Sequence, residues 1–153
     1  MDNKRDLPSG RNFVDWSEKY ATGIETIDRQ HKELVELINR LYGACMQGGD
    51  GVGSAFREAM HRMVEYVRFH LMEEMKLLER IGYPKAAEHK IQHDILVRDI
   101  LSASRDFEEG ETFVPNKFVR SLKDWVFGHI AVYDKAYAEY VTEQKKKGLL
   151  GDL

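Results

Sequence analysis

Four stretches of this chain repeat apolar residues at steps of three and four, and each interrupts its apolar stripe with an imidazole or a carboxylate. That period is the signature of an α-helix with one face turned to a core. The first stripe runs Ile24, Ile27, His31, Leu34, Val35, Ile38, Leu41, Tyr42 and Cys45, and the second Phe56, Met60, Met63, Val67, His70, Glu74 and Leu77. The third gives His89, His93, Leu96, Ile100 and Phe107, and the fourth Phe118, Leu122, Trp125, Val126, His129, Val132 and Tyr137. A lone histidine on such a stripe is most simply a satisfied core residue. Four linked stripes predict that these polar groups meet inside the fold.

His70 and Glu74 are four residues apart, as are His89 and His93, so each pair presents two ligand-type side chains from one helical face. Burying this much polarity without partners costs several kcal/mol per group, and more for an unpaired carboxylate. A metal centre satisfies all of it at once. His129 and Asp134 are five apart, which separates them by roughly 140° on an ideal helix. Asp134 must therefore approach from the flank, or the helix must bulge there. We assign Asp134 as a bridge between two metal ions, with Glu74 as its counterpart from the second helix.

His31, His70, Glu74, His89, His93, His129 and Asp134 are too many ligands for a closed tetrahedral zinc site, and mixed imidazole and carboxylate donors suit iron or manganese. On two octahedral ions, five imidazoles, two bridging carboxylates and one bridging oxide or hydroxide leave a single open position. Five histidines divide three and two, so the opening belongs to the ion with two. One open position invites a small molecule such as dioxygen, and neutral imidazoles favour reversible binding over oxidation.

The pattern of a histidine, then HxxxE, HxxxH and HxxxxD on four helices, resembles the single-domain bacterial hemerythrins. The resemblance extends through Gly23-Ile24-Glu25, Ile27-Asp28-Arg29-Gln30-His31, Gly82-Tyr83-Pro84 and Asp134-Lys135-Ala136-Tyr137, and covers about residues 13 to 140. It implies two iron ions with an oxo or hydroxo bridge, and dioxygen bound reversibly at one iron for carriage, storage, delivery or sensing. It also implies a dioxygen pocket walled by Val126 and Trp125. Val126 stands where the family often has leucine, and the shorter side chain predicts faster ligand exchange and autoxidation. Other departures are Leu71, where phenylalanine is frequent, Met75 in place of a glutamate, and the bulky Val132 and Tyr133 between His129 and Asp134.

Glycine and proline mark the joints, at Gln47 to Gly53, at Gly82 and Pro84, and at Glu109 to Pro115. Short joints place successive helices antiparallel, giving an all-α, up-down-up-down four-helix bundle with an N-terminal arm. The expected organisation is a flexible tail over residues 1–12, a bundle domain over 13–144 and a C-terminal tail over 145–153 that frays past the last helix. Phe13 and Trp16 in the arm are expected to cover one end of the bundle.

No apolar run approaches the roughly 18 residues a membrane span needs, and the start MDNKRDLPSG lacks a signal-peptide core. A net charge of −3 argues against nucleic acid as a partner. The single cysteine, Cys45, reads as a small buried hydrophobe and gives no sign of an oxidising compartment, so the expected location is the cytoplasm. His61 lies beside the second stripe and reads as exposed. Lys145 to Lys147 suit a solvated helix C-terminus. The competing function is an enzyme using the same centre to reduce peroxide, dioxygen or nitric oxide, or an iron-handling protein, with a redox or delivery partner.

Overall fold

The computed structural model describes residues 12–46, 52–110 and 115–153. Within them the chain folds as α1 (Glu25–Met46), α2 (Val52–Arg80), α3 (Ala86–Glu108) and a fourth rod made of α4 (Pro115–His129), a π-helical turn (Ile130–Asp134) and α5 (Lys135–Lys146). Among the described residues there is no strand, and α1 packs on α2 and α4 while α2 packs on α3, as an up-down-up-down bundle requires. Among the described residues no helix is long and apolar enough to cross a membrane.

The ends of the helices explain several short motifs. Asp28, in the first turn of α1, accepts hydrogen bonds from the Thr22 amide (2.7 Å), the Thr22 hydroxyl (2.8 Å) and the Gly23 amide (3.1 Å). A carboxylate there also suits the positive end of the helix dipole. Gly82 stops α2 with φ of 66°, a left-handed conformation that favours glycine, and the Tyr83 amide reaches back to the Leu78 carbonyl. Pro115 opens α4, where its missing N–H removes no helical bond. The first joint differs from expectation, because α2 already includes Gly53.

The stripes form two apolar clusters. The larger gathers Leu34, Ile38 and Leu41 with Phe56, Met63, Val67, Leu71, Leu96, Ile100, Val119, Leu122, Val126 and Ile130. The smaller joins Ile24, Ile27, Leu77, Leu78, Ile81, Tyr137 and Val141. In α1, His31 falls between residues of the two clusters; in α2, Glu74 does so, and in the fourth rod Asp134 does. A polar layer thus crosses the bundle between two apolar ones.

Three expectations are corrected. Phe13 and Trp16 do not close an end of the bundle. The arm runs antiparallel to α1 between α1 and α4: Phe13 stacks on Tyr42 (4.1 Å), Val14 exchanges hydrogen bonds with Asn39, Lys32 lies over Trp16, and Tyr20 meets Phe127. Arg120 and Lys123 of α4 cover Phe13 at 5.4 and 5.3 Å. The C-terminal segment does not fray, since Leu150 folds back onto the smaller cluster after the turn at Gly148. Val132, placed on the fourth stripe by its spacing, is 62% exposed because the π turn shifts the helical phase there. The expected flexible tail, residues 1–12, lies outside the described residues except for Asn12.

Candidate metal centre

All seven residues picked out by spacing are buried, with Glu74 at 0% and His31 and Asp134 at 1% exposure. They form two overlapping groups whose donor atoms lie within 4.8 Å of one another: Glu74, His89, His93, His129 and Asp134 in one, and His31, His70 and Glu74 in the other. Imidazoles therefore divide three and two, and Glu74 belongs to both sets. Asp134 also spans the division, with Oδ1 3.2 Å from His89 Nε2 and 3.1 Å from His129 Nε2, while Oδ2 is 3.1 Å from His31 Nε2. Glu74 Oε2 lies 2.8 Å from His93 Nε2 and 3.2 Å from His89 Nε2.

The π turn is what lets Asp134 reach this layer. A wider turn takes less rotation per residue, so a fifth residue comes back toward the face of His129, which an α-helix would deny it. The bulge alternative is the one realised, and the extra residue it accommodates leaves Val132 and Tyr133 outside.

Several of these close approaches are not hydrogen bonds. Both nitrogens of His31, both oxygens of Asp134, and the Nδ1 atoms of His93 and His129 are buried without a hydrogen-bond partner. The Nε2 atoms of His93 and His129 sit 3.2 Å apart, and those of His129 and His89 3.3 Å apart. Donor atoms about 2.1 Å from a shared ion are separated by about 3 Å when the angle between them is near 90° to 110°. Imidazole Nε2 atoms and carboxylate oxygens that converge at these separations, two of the oxygens without a hydrogen-bond partner, fit metal ions.

The electrostatics agree. Burial and the nearby Asp134 push the Glu74 carboxyl up, but contacts with His89 and His93 outweigh them and leave it at about 2. Asp134, though buried, is held well below the usual carboxylate range by His129, His31 and His89. Burial drives His70 down to about 4, whereas at His89 burial is outweighed by Asp134 and Glu74, which raise it to about 9. Two buried anions thus draw positive charge into the layer, and cations at its centre would supply it.

Two supporting residues lie behind the seven. Gln30 Oε1 is 2.7 Å from His70 Nδ1, which turns the His70 Nε2 toward the layer. Tyr137, fully buried, donates its hydroxyl to Glu74 Oε1 at 2.6 Å. Both residues were visible in the sequence, one beside His31 and one on the fourth stripe, yet nothing in their spacing marks them as partners of His70 and Glu74. Val126 is buried one turn before His129, and Trp125 stacks on the His129 ring at 4.7 Å and 9°. His61 is exposed and pairs with Glu65, and Cys45 is half-buried and free, its thiol pushed up to about 11 by burial.

The pattern of known proteins matches this architecture. The description "Hemerythrin HHE cation binding domain" fits residues 22–141. A bacteriohemerythrin of Stenotrophomonas maltophilia is 32% identical over 128 residues, covering 82% of this chain and 80% of that protein. One from Pseudomonas aeruginosa is 34% identical over 126 residues with the same two coverages. The crystal structure of wild-type hemerythrin superposes with a TM-score of 0.78 at 27% identity, over 83% of this chain and 96% of that one. A buried five-histidine, two-carboxylate layer inside an antiparallel bundle, matched over most of its length, makes this chain a member of the hemerythrin family.

Proposed function

We propose that this protein holds two iron ions and binds dioxygen reversibly at one of them, as a carrier, store, deliverer or sensor of dioxygen and not as an enzyme. The hemerythrin family binds dioxygen at a non-haem di-iron centre. In our assignment His89, His93 and His129 hold one ion, His31 and His70 hold the other, and Glu74 and Asp134 bridge them beside an oxo or hydroxo bridge. The observation that carries this reading is the three-to-two division of imidazoles, with both carboxylates spanning it. When bound, the two ferrous ions would supply the electrons that dioxygen binding takes up.

The chain's own residues do the rest. Gln30 and Tyr137 fix the orientation of His70 and Glu74, as outer partners do for metal-bound imidazole and carboxylate. Val126 and Trp125 line the dioxygen pocket, and the apolar cluster next to them excludes the water and protons that would drive irreversible oxidation. Residues 13–144 constitute the working domain, and the unpaired Cys45 suits the cytoplasm.

The test is to load the full chain with ferrous iron without oxygen, count the metal, admit dioxygen and then flush with argon. Two irons per chain and a visible band that appears with dioxygen and disappears under argon, over repeated cycles, are the expected result. One-way oxidation with turnover of peroxide or nitric oxide would establish the enzyme reading instead. Val126→Leu, which adds a methylene to the pocket wall, is expected to slow dioxygen release and autoxidation by up to about tenfold, measured by stopped flow.

A further inference from the structure

His129 carries an aromatic ring against it from each neighbouring turn. Trp125 stacks on it at 4.7 Å and 9°, and Tyr133 at 5.2 Å and 23°. Tyr133 also meets His89 edge-on at 6.3 Å. Unlike the imidazoles it touches, Tyr133 is 37% exposed, and its hydroxyl has no hydrogen-bond partner among the described residues. The π turn is responsible: it swings the residue before Asp134 outward while keeping its ring on two candidate ligands of one ion.

A phenol in this position has three properties that matter together. Its ring is among the more easily oxidised side chains, it is in ring contact with two imidazoles of the centre, and it reaches the surface. We propose that Tyr133 is a one-electron relay between the iron pair assigned above and the surface, through which oxidising equivalents leave the protein when it meets hydrogen peroxide. This rests on the iron assignment and goes beyond it.

The chemistry balances as follows. The O–O bond of one peroxide breaks with uptake of two electrons and two protons to give two waters. The electrons and protons come from two Tyr133 phenols, each losing its O–H hydrogen as one electron and one proton, one on the reacting chain and one on a second chain met through the exposed ring. The two phenoxyl radicals then join by a carbon–carbon bond ortho to oxygen, and the displaced ring hydrogens return to the oxygens. The product is a dityrosine-linked pair of chains.

The experiment uses the iron-loaded full chain, whose metal content and reversible dioxygen band are recorded first on the same sample. Hydrogen peroxide is added, and the mixture is examined by electron paramagnetic resonance, dityrosine fluorescence, denaturing gel and mass spectrometry of cross-linked peptides. A tyrosyl radical and a covalent dimer joined at Tyr133 are expected. Tyr133→Phe keeps a ring on His129 but cannot be oxidised, so radical and dimer are lost while iron content and the dioxygen band stay. Tyr133→Trp restores a radical with an indole signature, a result that a purely packing role would not produce. Radical and dimer persisting in Tyr133→Phe, or a cross-link mapped to Tyr140 or Tyr20, would overturn the proposal. Loaded, oxygen-reversible protein that forms no radical sinks the relay alone, whereas a chain that takes up no iron sinks both readings.

Discussion

At His70 the decisive contact is with an amide. The 2.7 Å approach of Gln30 Oε1 to His70 Nδ1 sets the ring's tautomer, with the N–H on the outer nitrogen and the lone pair on the inner one. Gln30→Leu removes the whole amide, acceptor included, and leaves a shorter apolar side chain. On our assignment it lowers iron affinity by about 10- to 100-fold, while Gln30→Glu, which keeps an acceptor, does not; competition against a chelator measures both, and unchanged affinity in the leucine variant would discard the role. At this scale the pairs His70/Glu74 and His89/His93 were legible because i, i+4 spacing is a local property of a helix, and the structure gathers them with His31, His129 and Asp134 in one buried layer. Gln30 and Tyr137 were not. Their partners lie 40 and 63 residues away, and only the approach of α1 to α2, and of the last rod to α2, selects them.

Among the elements, the fourth rod is the one that departs from a regular helix. Its fivefold spacing announced that either a flank approach or a bulge was needed, and the choice between them depended on packing: Ile130, which opens the turn, and Tyr137, beyond its end, are both anchored in apolar clusters. An α-helix held at both ends absorbs one extra residue by widening a single turn. Deleting the exposed Val132 should therefore let the turn relax to α geometry, with histidine and aspartate four apart, and keep the metal layer. Inserting one alanine after Val132 gives sixfold spacing and should detach Asp134, so that iron falls below two per chain while helicity by circular dichroism is kept. Equal iron content in both variants would contradict this account of the turn. The same widening explains why periodicity misplaced Val132, since a stripe is extrapolated at one constant angle. The arm was misplaced for a different reason: aromatic side chains announce burial without naming the surface they cover.

Across the whole molecule, two apolar clusters hold a buried layer of imidazoles and carboxylates that is costly to keep dry and uncompensated. In metal-free protein, the unfolded chain takes up a proton at His70 near pH 6.5 that the folded chain refuses until about 4. Stability therefore falls as pH drops through that window, by on the order of 3 kcal/mol. Glu74, held at about 2, adds a loss in the same direction at lower pH. His89, raised to about 9, stabilises the fold fully below pH 6.5, and its contribution is lost as pH rises through 9. Denaturant midpoints of chelator-treated protein across pH should thus peak near neutrality, and a flat profile would refute the assignment of these shifts. Restoring iron at a hundredfold excess over its dissociation constant adds about 2.7 kcal/mol for each site filled, seen as a higher melting temperature. Membership of both donor groups by a single carboxylate, Glu74, has a consequence for assembly. On the two-ion assignment, the first ion to arrive would draw that carboxylate into place and neutralise part of the layer's negative charge. On that assignment metal uptake is expected to be paired, with half-filled molecules scarce at every stage of a titration.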